Sequence, residues 1–305
     1  MCPRVSVIIP TYNRASTLAR CLESLVVQTM QGFEVLVCDD GSTDETAKII
    51  ASFVDRLNLT YENAENFGGP ARPRNRGLRA AKAPFVAFLD SDDWWLPRKL
   101  ELSLRTLEAG ADLVYHPLLL ATNEHQRYFI RKTRTYQLRS PVFDDLLRRG
   151  NAVINSSVVM RRELLTGLGG FAEDKRLIAV EDYDAWLRVA RATEKFVHLP
   201  QALGFYWSGG GNISSANRTL QTTSALEERY CADLARLDGS AIWISYVKAQ
   251  AMLQLGRPEA ARAELAAARS GGPLSLRMRL AILSLRVASI LLVKWTGRSL
   301  RSQGL

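Results

Sequence analysis

Histidine and cysteine are scarce in this chain, with three His and four Cys in 305 residues. Cys2, Cys21, Cys38 and Cys231 include no Cys-x-x-Cys pair and no metal-like spacing. They read as reduced thiols of a cytosolic protein, which argues against a disulfide framework. His116, His125 and His198 stand in no motif and read as structural. No Gly-x-Gly-x-x-Gly follows a strand-like segment, which disfavours a dinucleotide-binding dehydrogenase. The Pro-Thr-Tyr-Asn-Arg stretch after the first strand is not a Gly-rich phosphate loop with Arg and Lys, the expected mark of a nucleotidyltransferase of sugar metabolism. Met1-Cys2-Pro3-Arg4 runs straight into a strand-like segment, so no signal peptide is expected. The most apolar stretch, Leu280 to Val293, has 14 residues and contains Arg286, whereas crossing a bilayer takes about 20.

Acidic residues are also missing from positions 271–305, where six Lys and Arg stand. That segment therefore holds most of the net charge of +9. Its basic residues are interleaved with Leu, Ile, Val and Trp. This mixture fits an anionic membrane surface better than nucleic acid. A helix is expected from Leu274 to Lys294, but Arg277 and Arg286 fall on opposite sides of it. The expected role of the 274–301 tail is a peripheral contact at the inner face of the cytoplasmic membrane. A helix packed on its neighbours with snorkelling arginines is the alternative.

What the chain does have is order. With 47% hydrophobic and 23% charged residues it can bury a large core. Short apolar strands are predicted at Val5–Ile9, Phe33–Cys38, Leu59–Tyr61 and Phe85–Leu89. Between them lie a helix with Leu18, Cys21, Leu22 and Leu25 on one face, capped by Ser16, and a helix opened by a Ser42/Glu45 capping box that runs through Phe53. A loop over Asn66–Pro73 leads into a helix to about Ala81. Strands this apolar, separated by helices, predict an α/β fold with a mostly parallel sheet covered on both faces. Glu181–Ala192 reads as a helix, Arg127–Arg139 as a basic hairpin or mobile loop, and Ser208–Ser215 as a flexible Gly-rich loop. The chain turns purely helical after Thr219, with a hairpin over Tyr246–Ala267 that turns at Gly256-Arg257-Pro258. The expected organisation is a domain over 1–218, with halves 1–115 and 116–218, and a helical extension over 219–305.

Ligands of such sheets bind beyond the carboxyl ends of the strands, where this sequence puts its polar clusters. Asp90-Ser91-Asp92-Asp93 ends the fourth strand. Two carboxylates one residue apart can hold a hard divalent cation through oxygen and so neutralise a diphosphate. They would equally serve as an acidic cap for the following helix. Asp39-Asp40-Gly41-Ser42 has the same two readings. Glu181-Asp182-Tyr183-Asp184 opens a helix, where the dipole favours carboxylates, and a carboxylate there also suits a general base.

Val5–Arg14 (VSVIIPTYNR), Cys21–Thr29 (CLESLVVQT), Phe33–Thr46 (FEVLVCDDGSTDET), Arg74–Gly77 (RNRG), Phe85–Trp94 (FVAFLDSDDW) and Gly169–Arg188 (GGFAEDKRLIAVEDYDAWLR) stand in order at familiar spacings. Together they resemble the family 2 inverting glycosyltransferases of the GT-A (nucleotide-diphospho-sugar transferase) fold. The resemblance implies a nucleoside pocket of Pro10, Thr11, Tyr12, Arg14 and Asp40, with Arg74 approaching the diphosphate and Asn75 shaping its loop. It makes Asp90-Ser91-Asp92 the DxD motif, holding Mn²⁺ or Mg²⁺ chiefly through Asp92. Asp182 becomes the catalytic base with Glu181 in support, and Asp184 is structural or acceptor-facing. Trp207, with Trp95 and Asp184, is expected at the acceptor.

The implied donor is a nucleotide-diphospho-sugar, a UDP-sugar above all, and the acceptor a glycan or lipid-linked glycan in cell-surface polysaccharide or glycolipid synthesis. No nucleic acid partner is expected. After Phe205-Tyr206 many relatives carry a basic residue and a His, but this chain has Trp207-Ser208-Gly209-Gly210-Gly211. That loop either offers backbone N–H groups to phosphate or closes as a lid. A non-catalytic carbohydrate-binding protein on a degenerate transferase fold is the remaining alternative.

Overall fold

The computed structural model describes residues 2–123, 131–210, 213, 215–237, 241–267 and 284. The 274–301 tail therefore lies outside the described residues apart from Ser284, as do His125 and parts of the basic and Gly-rich loops. No helix among the described residues is long and apolar enough to cross a membrane.

The first three predicted strands are β1 (Val5–Thr11), β2 (Phe33–Asp39) and β3 (Leu59–Asn63). The fourth, β4, spans Phe85–Phe88. They alternate with the helices α1 (Ala15–Val26), α2 (Thr46–Ala51) and α3 (Ala71–Ala80). β5 (Trp94–Trp95), α4 (Lys99–Glu108), β6 (Leu113–Tyr115), β7 (Leu119–Ala121) and α5 (Val142–Arg149) follow. Next come β8 (Val159–Arg161), α6 (Arg162–Gly167), α7 (Glu181–Ala192), β9 (Phe196–His198) and β10 (Gly204–Trp207). The main sheet has the order β3-β2-β1-β4-β8-β6-β9. Strands β1 to β4 are mutually parallel, and β8 runs antiparallel to both of its neighbours. A smaller sheet, β5-β10-β7, joins short segments from three distant parts of the chain.

The chain leaves β1 toward β2 and β3, then returns to β4 on the other side of β1. This reversal opens a crevice at the carboxyl ends of β1 and β4, where ligands of such sheets bind. The predicted apolar face of α1 is buried as expected through Leu18, Cys21, Leu22 and Leu25.

Local chemistry departs from the sequence reading in three places. β1 does not stop before Pro10. Leu89 donates to the Ile8 carbonyl on the β4 side, so Pro10, two residues on, points the same way beyond the end of that ladder. Its missing N–H thus costs nothing. The helix starts are capped by neither Ser16 nor Ser42. Asp44 accepts from Ala15 N–H at 3.1 Å and Thr46 N–H at 3.0 Å, serving α1 and α2 with one carboxylate. Ser42 instead donates to Asp39 at 2.6 Å. Finally, α3 begins at Ala71, so Ala71, Arg72 and Pro73, expected at the end of a loop, already belong to the helix that carries Arg74 and Asn75. Gly77 lets that helix lie on the sheet, since a Cβ there would meet Ile8 Cγ2 at 2.6 Å.

Two compact units emerge: 1–143 with 151–212, and 144–150 with 213–305. The second contains α8 (Ala216–Arg229), α9 (Cys231–Arg236), α10 (Trp243–Gln254) and α11 (Pro258–Ala267). The helical hairpin forms about Gly256 as its pattern predicts. Residues 144–150, which no sequence signal assigns to this unit, join it through an Arg236–Asp144 ion pair and a 2.8 Å hydrogen bond from Trp243 Nε1 to the Leu147 carbonyl.

Candidate active site

Three elements of the first unit converge beyond the strand ends: the turn after β4, the first turn of α3 and the start of α7. Arg74 joins them. Its Nη2 donates to Asp90 Oδ1 at 2.7 Å and its Nη1 donates to Glu181 Oε1. Glu181 Oε2 accepts from Ala179 N–H at 2.7 Å. Asp90 Oδ1 also accepts from Asn155 Nδ2 at 3.0 Å. The Arg74 guanidinium is sealed between two carboxylates, with Nε buried and without a hydrogen-bond partner. It therefore bridges the turn after β4 to the start of α7, where the resemblance implied an approach to the diphosphate.

Packing sets the same distance. Trp186 on α7 is fully buried against Phe88 of β4, at 6.1 Å between centroids, and against Phe171 at 5.9 Å. Asn75 pins the loop ahead of α7 by donating to the Phe171 carbonyl at 2.9 Å and accepting from Phe171 N–H at 2.8 Å. Gly170 is required there, with φ of +79° and room for no Cβ beside Asn75 Oδ1. Asn75 thus shapes a different loop from the one expected.

Asp182, in the first turn of α7, is half-buried, and its carboxylate Oδ1 accepts from Tyr183 N–H at 2.7 Å. Its pKa is pushed up from 3.8 to about 7, by burial first and then by the charge of Glu181, with Arg74 opposing. Asp92 is also raised, by burial and then by Asp90, against the pull of Arg14. Arg14 Nη2 stands 3.7 Å from Asp92 Oδ2, and the Asp92 carboxylate accepts no side-chain hydrogen bond among the described residues. Asp93 is fully enclosed and is raised further by burial, Asp92 and Asp90, while its Oδ1 accepts from Trp207 N–H at 2.8 Å.

The expected nucleoside residues stand at the carboxyl ends of β1 and β2. Pro10 is buried, Tyr12 is exposed, and Thr11 Oγ1 is buried without a hydrogen-bond partner among the described residues. Ser91 is buried beside the acidic turn. Asp40 accepts from the Phe67 and Gly68 N–H groups at 3.1 and 3.0 Å, so it anchors that loop with both oxygens. A carboxylate has further lone pairs for a base.

The acceptor assignments fare differently. Asp184 is fully buried and pairs with Arg188 at 2.9 Å, and Arg188 in turn donates to the Leu168 and Gly170 carbonyls. Trp95 is buried and donates through Nε1 to the Ser156 carbonyl at 2.7 Å. Neither presents a surface to an acceptor. Trp207 is partly exposed, but the Arg20 guanidinium lies 4.8 Å from its ring centroid. Arg20 and Asn155, which also contact the acidic turn, had no place in the sequence reading. A lone Arg on a helix reads as a solvated face, and Asn155 lies in no motif.

The family profile described as glycosyl transferase family 2 matches residues 6–166, more than half of the chain. The validoxylamine A glucosyltransferase of Streptomyces hygroscopicus subsp. jinggangensis is 50% identical over 92 residues, covering 29% of this chain and 22% of that protein. With three uncharacterized glycosyltransferases of Rickettsia the matched part is likewise about a fifth of the relative's length, 18% to 21%. Among solved structures, S. aureus TarS 1-349 in complex with UDP-GlcNAc superposes with a TM-score of 0.60 at 20% identity, covering 86% of this chain and 88% of that one. The mannosyltransferase PcManGT of Pyrobaculum calidifontis, in complex with GDP-Man and Mn²⁺, gives 0.57 at 22% identity over 97% of this chain and 84% of that one. At these identities the likeness is one of fold, and it agrees with the α/β architecture described above. By its family profile, this chain belongs to glycosyl transferase family 2.

Proposed function

We propose that the chain transfers a sugar from a nucleoside-diphosphate donor to an acceptor hydroxyl with inversion at the anomeric carbon. The observation that carries this reading is Asp182, held on α7 through Glu181, Arg74 and Asp90 at a fixed place relative to the DxD turn. Its raised pKa matches the demand on a base working near neutrality. Asp182 takes the acceptor proton, and the acceptor oxygen attacks the anomeric carbon from the face opposite the diphosphate. The bond from that carbon to the phosphate oxygen breaks with its electron pair on the diphosphate. One displacement inverts the centre, and no protein nucleophile takes part.

The residues present suit a hard divalent cation. The Asp92 carboxylate is raised in pKa by burial, accepts no side-chain hydrogen bond among the described residues and has Arg14 nearby at 3.7 Å, and Asp90 stands beside it. No group of three His, Cys, Asp or Glu among the described residues is arranged to hold a metal. A six-oxygen shell therefore needs the donor's phosphates and water. When bound, Mn²⁺ or Mg²⁺ would supply charge stabilisation to the departing diphosphate.

TarS was solved with UDP-GlcNAc and PcManGT with GDP-Man. A UDP-sugar is our proposed donor, and a glycan or lipid-linked glycan of the cell surface our proposed acceptor. Thermal-shift screening of UDP- and GDP-sugars with Mn²⁺, with and without chelator, tests the donor reading. Stabilisation grows as RT ln(1 + [L]/Kd), about 2.7 kcal/mol at a hundredfold excess over Kd. A metal-dependent shift with at least one donor is expected, and no shift with any of them contradicts the reading.

A further inference from the structure

α1 reaches the DxD turn through two adjacent residues. Cys21 Sγ lies 3.8 Å from the Asp90 carbonyl oxygen, and Arg20 Nη2 donates to the Asp92 carbonyl at 3.1 Å. The Arg20 guanidinium carbon also sits 3.8 Å from the Trp94 ring centroid and 4.8 Å from that of Trp207. Trp94 stacks on Phe205 at 4.7 Å with an interplanar angle of 11°. Trp207 is tied back to the acidic turn by its own N–H on Asp93. The turn that carries the DxD and the end of β10 thus close on one guanidinium.

We propose that Arg20 is a positioning residue for metal and diphosphate binding, its planar guanidinium clamping the Asp92 turn to the Trp94 and Trp207 rings. The physical requirement is specific. Only Arg combines a flat cation that stacks on an indole with in-plane N–H groups left to reach a carbonyl. An ammonium on the same helix would supply charge near Asp92 but neither the plane nor the fork. Sequence reading gives Arg20 no role, because a lone charge beside a buried Cys reads as a solvated edge of the helix. Trp207 also changes role here, from acceptor platform to one wall of the clamp.

The proposal rests on the reading of Asp92 as the metal contact, and the test separates the two. The affinity of the full chain for Mn²⁺ is measured by the loss of the free Mn²⁺ EPR signal, with UDP present and again with GDP. The variants are wild type, Arg20→Met, Arg20→Lys, Trp207→Leu, the double variant R20M/W207L, and Arg56→Met as a surface control. With whichever nucleotide supports binding, R20M and W207L are each expected to weaken Mn²⁺ binding about tenfold. Arg20→Lys should not restore it, and the double variant should be no worse than R20M. Donor KM should rise in step with the Mn²⁺ Kd.

If wild type binds Mn²⁺ with neither nucleotide, the metal reading itself falls and takes the proposal with it. If wild type binds and R20M is within twofold of it, only the Arg20 proposal falls. A fully active Arg20→Lys would reduce the effect to charge and likewise overturn the clamp. Should R20M fail to fold, Trp207→Leu carries the same expectation with α1 untouched.

Discussion

Asp182 is held where burial and a neighbouring carboxylate raise its pKa from 3.8 to about 7. The native state therefore binds the proton that the unfolded chain releases between those values, and folding stability falls as pH rises through that window. Asp182→Asn removes this cost. The variant should melt higher than wild type at pH 8, with the advantage fading toward pH 4, as read by calorimetry at both pH values. It should also lose about 10²- to 10⁴-fold in kcat/KM, the usual range for a general base. Wild-type kcat/KM should fall with decreasing pH below about 7 as the carboxylate protonates.

Lys99 shows the opposite sign. It is fully buried, its Nζ lies 3.7 Å from the Trp95 ring centroid with no hydrogen-bond partner among the described residues, and burial alone lowers its pKa well below 10.5. His116 nearby is pushed down from 6.5 to about 3 by burial and then by Lys99. Both bases bind fewer protons when folded, so stability rises with pH through their windows. Lys99→Met should stabilise the fold at pH 7 by about 1 to 3 kcal/mol, the cost of an unsatisfied buried polar group. The gain in urea denaturation should be smaller at pH 10.

At the scale of elements, α3 and α7 are coupled by one buried ion triad. Removing its centre leaves Asp90 and Glu181 without their counter-charge, and breaking such pairs costs about 3 to 5 kcal/mol. Arg74→Met should lower the urea midpoint accordingly and lower turnover as well, because α7, which carries the proposed base, is no longer tied to the Asp90–Asp92 turn. A variant as stable as wild type would show that Trp186 packing alone sets that distance. Asp44→Ala, which uncaps α1 and α2 together, should cost about 1 to 2 kcal/mol.

These couplings also show what the sequence could and could not disclose. Asp90, Asp92 and Asp182 stood out as carboxylates at the ends of apolar periodic segments, but that pattern suits helix capping equally, and only the family resemblance gave them separate roles. Arg74 was legible as important but not as a bridge, since its partners lie 16 and 107 residues away. Asp44 lost to Ser42 in the reading because a capping box is a local pattern, whereas Asp44 caps across two helices. β5, β7 and β10 were invisible because strands of two to four residues owe their existence to partners far along the chain.

For the whole molecule, the order β3-β2-β1-β4 places the Asp39-Asp40 and Asp90–Asp93 clusters at the carboxyl ends of β2 and β4, the two neighbours of β1. The parallel arrangement of these four strands was readable from continuous apolar strands alternating with helices, but their order was not. Nor was the antiparallel insertion of β8, or the assignment of 144–150 to the second unit. The basic and apolar 274–301 tail makes a separate prediction. The full chain should sediment with anionic vesicles while a chain ended after Gly272 stays in the supernatant, and equal partitioning of the two refutes membrane contact.

The central claim is glycosyl transfer driven by Asp182 opposite the DxD turn. Its most direct test is the turnover of a thermal-shift-positive donor with Mn²⁺ by wild type and Asp182→Asn, with the anomeric configuration of the product read by NMR. The account predicts an inverted product from wild type and turnover reduced at least a hundredfold in the variant. A retained configuration, or an Asp182→Asn protein as fast as wild type, contradicts it.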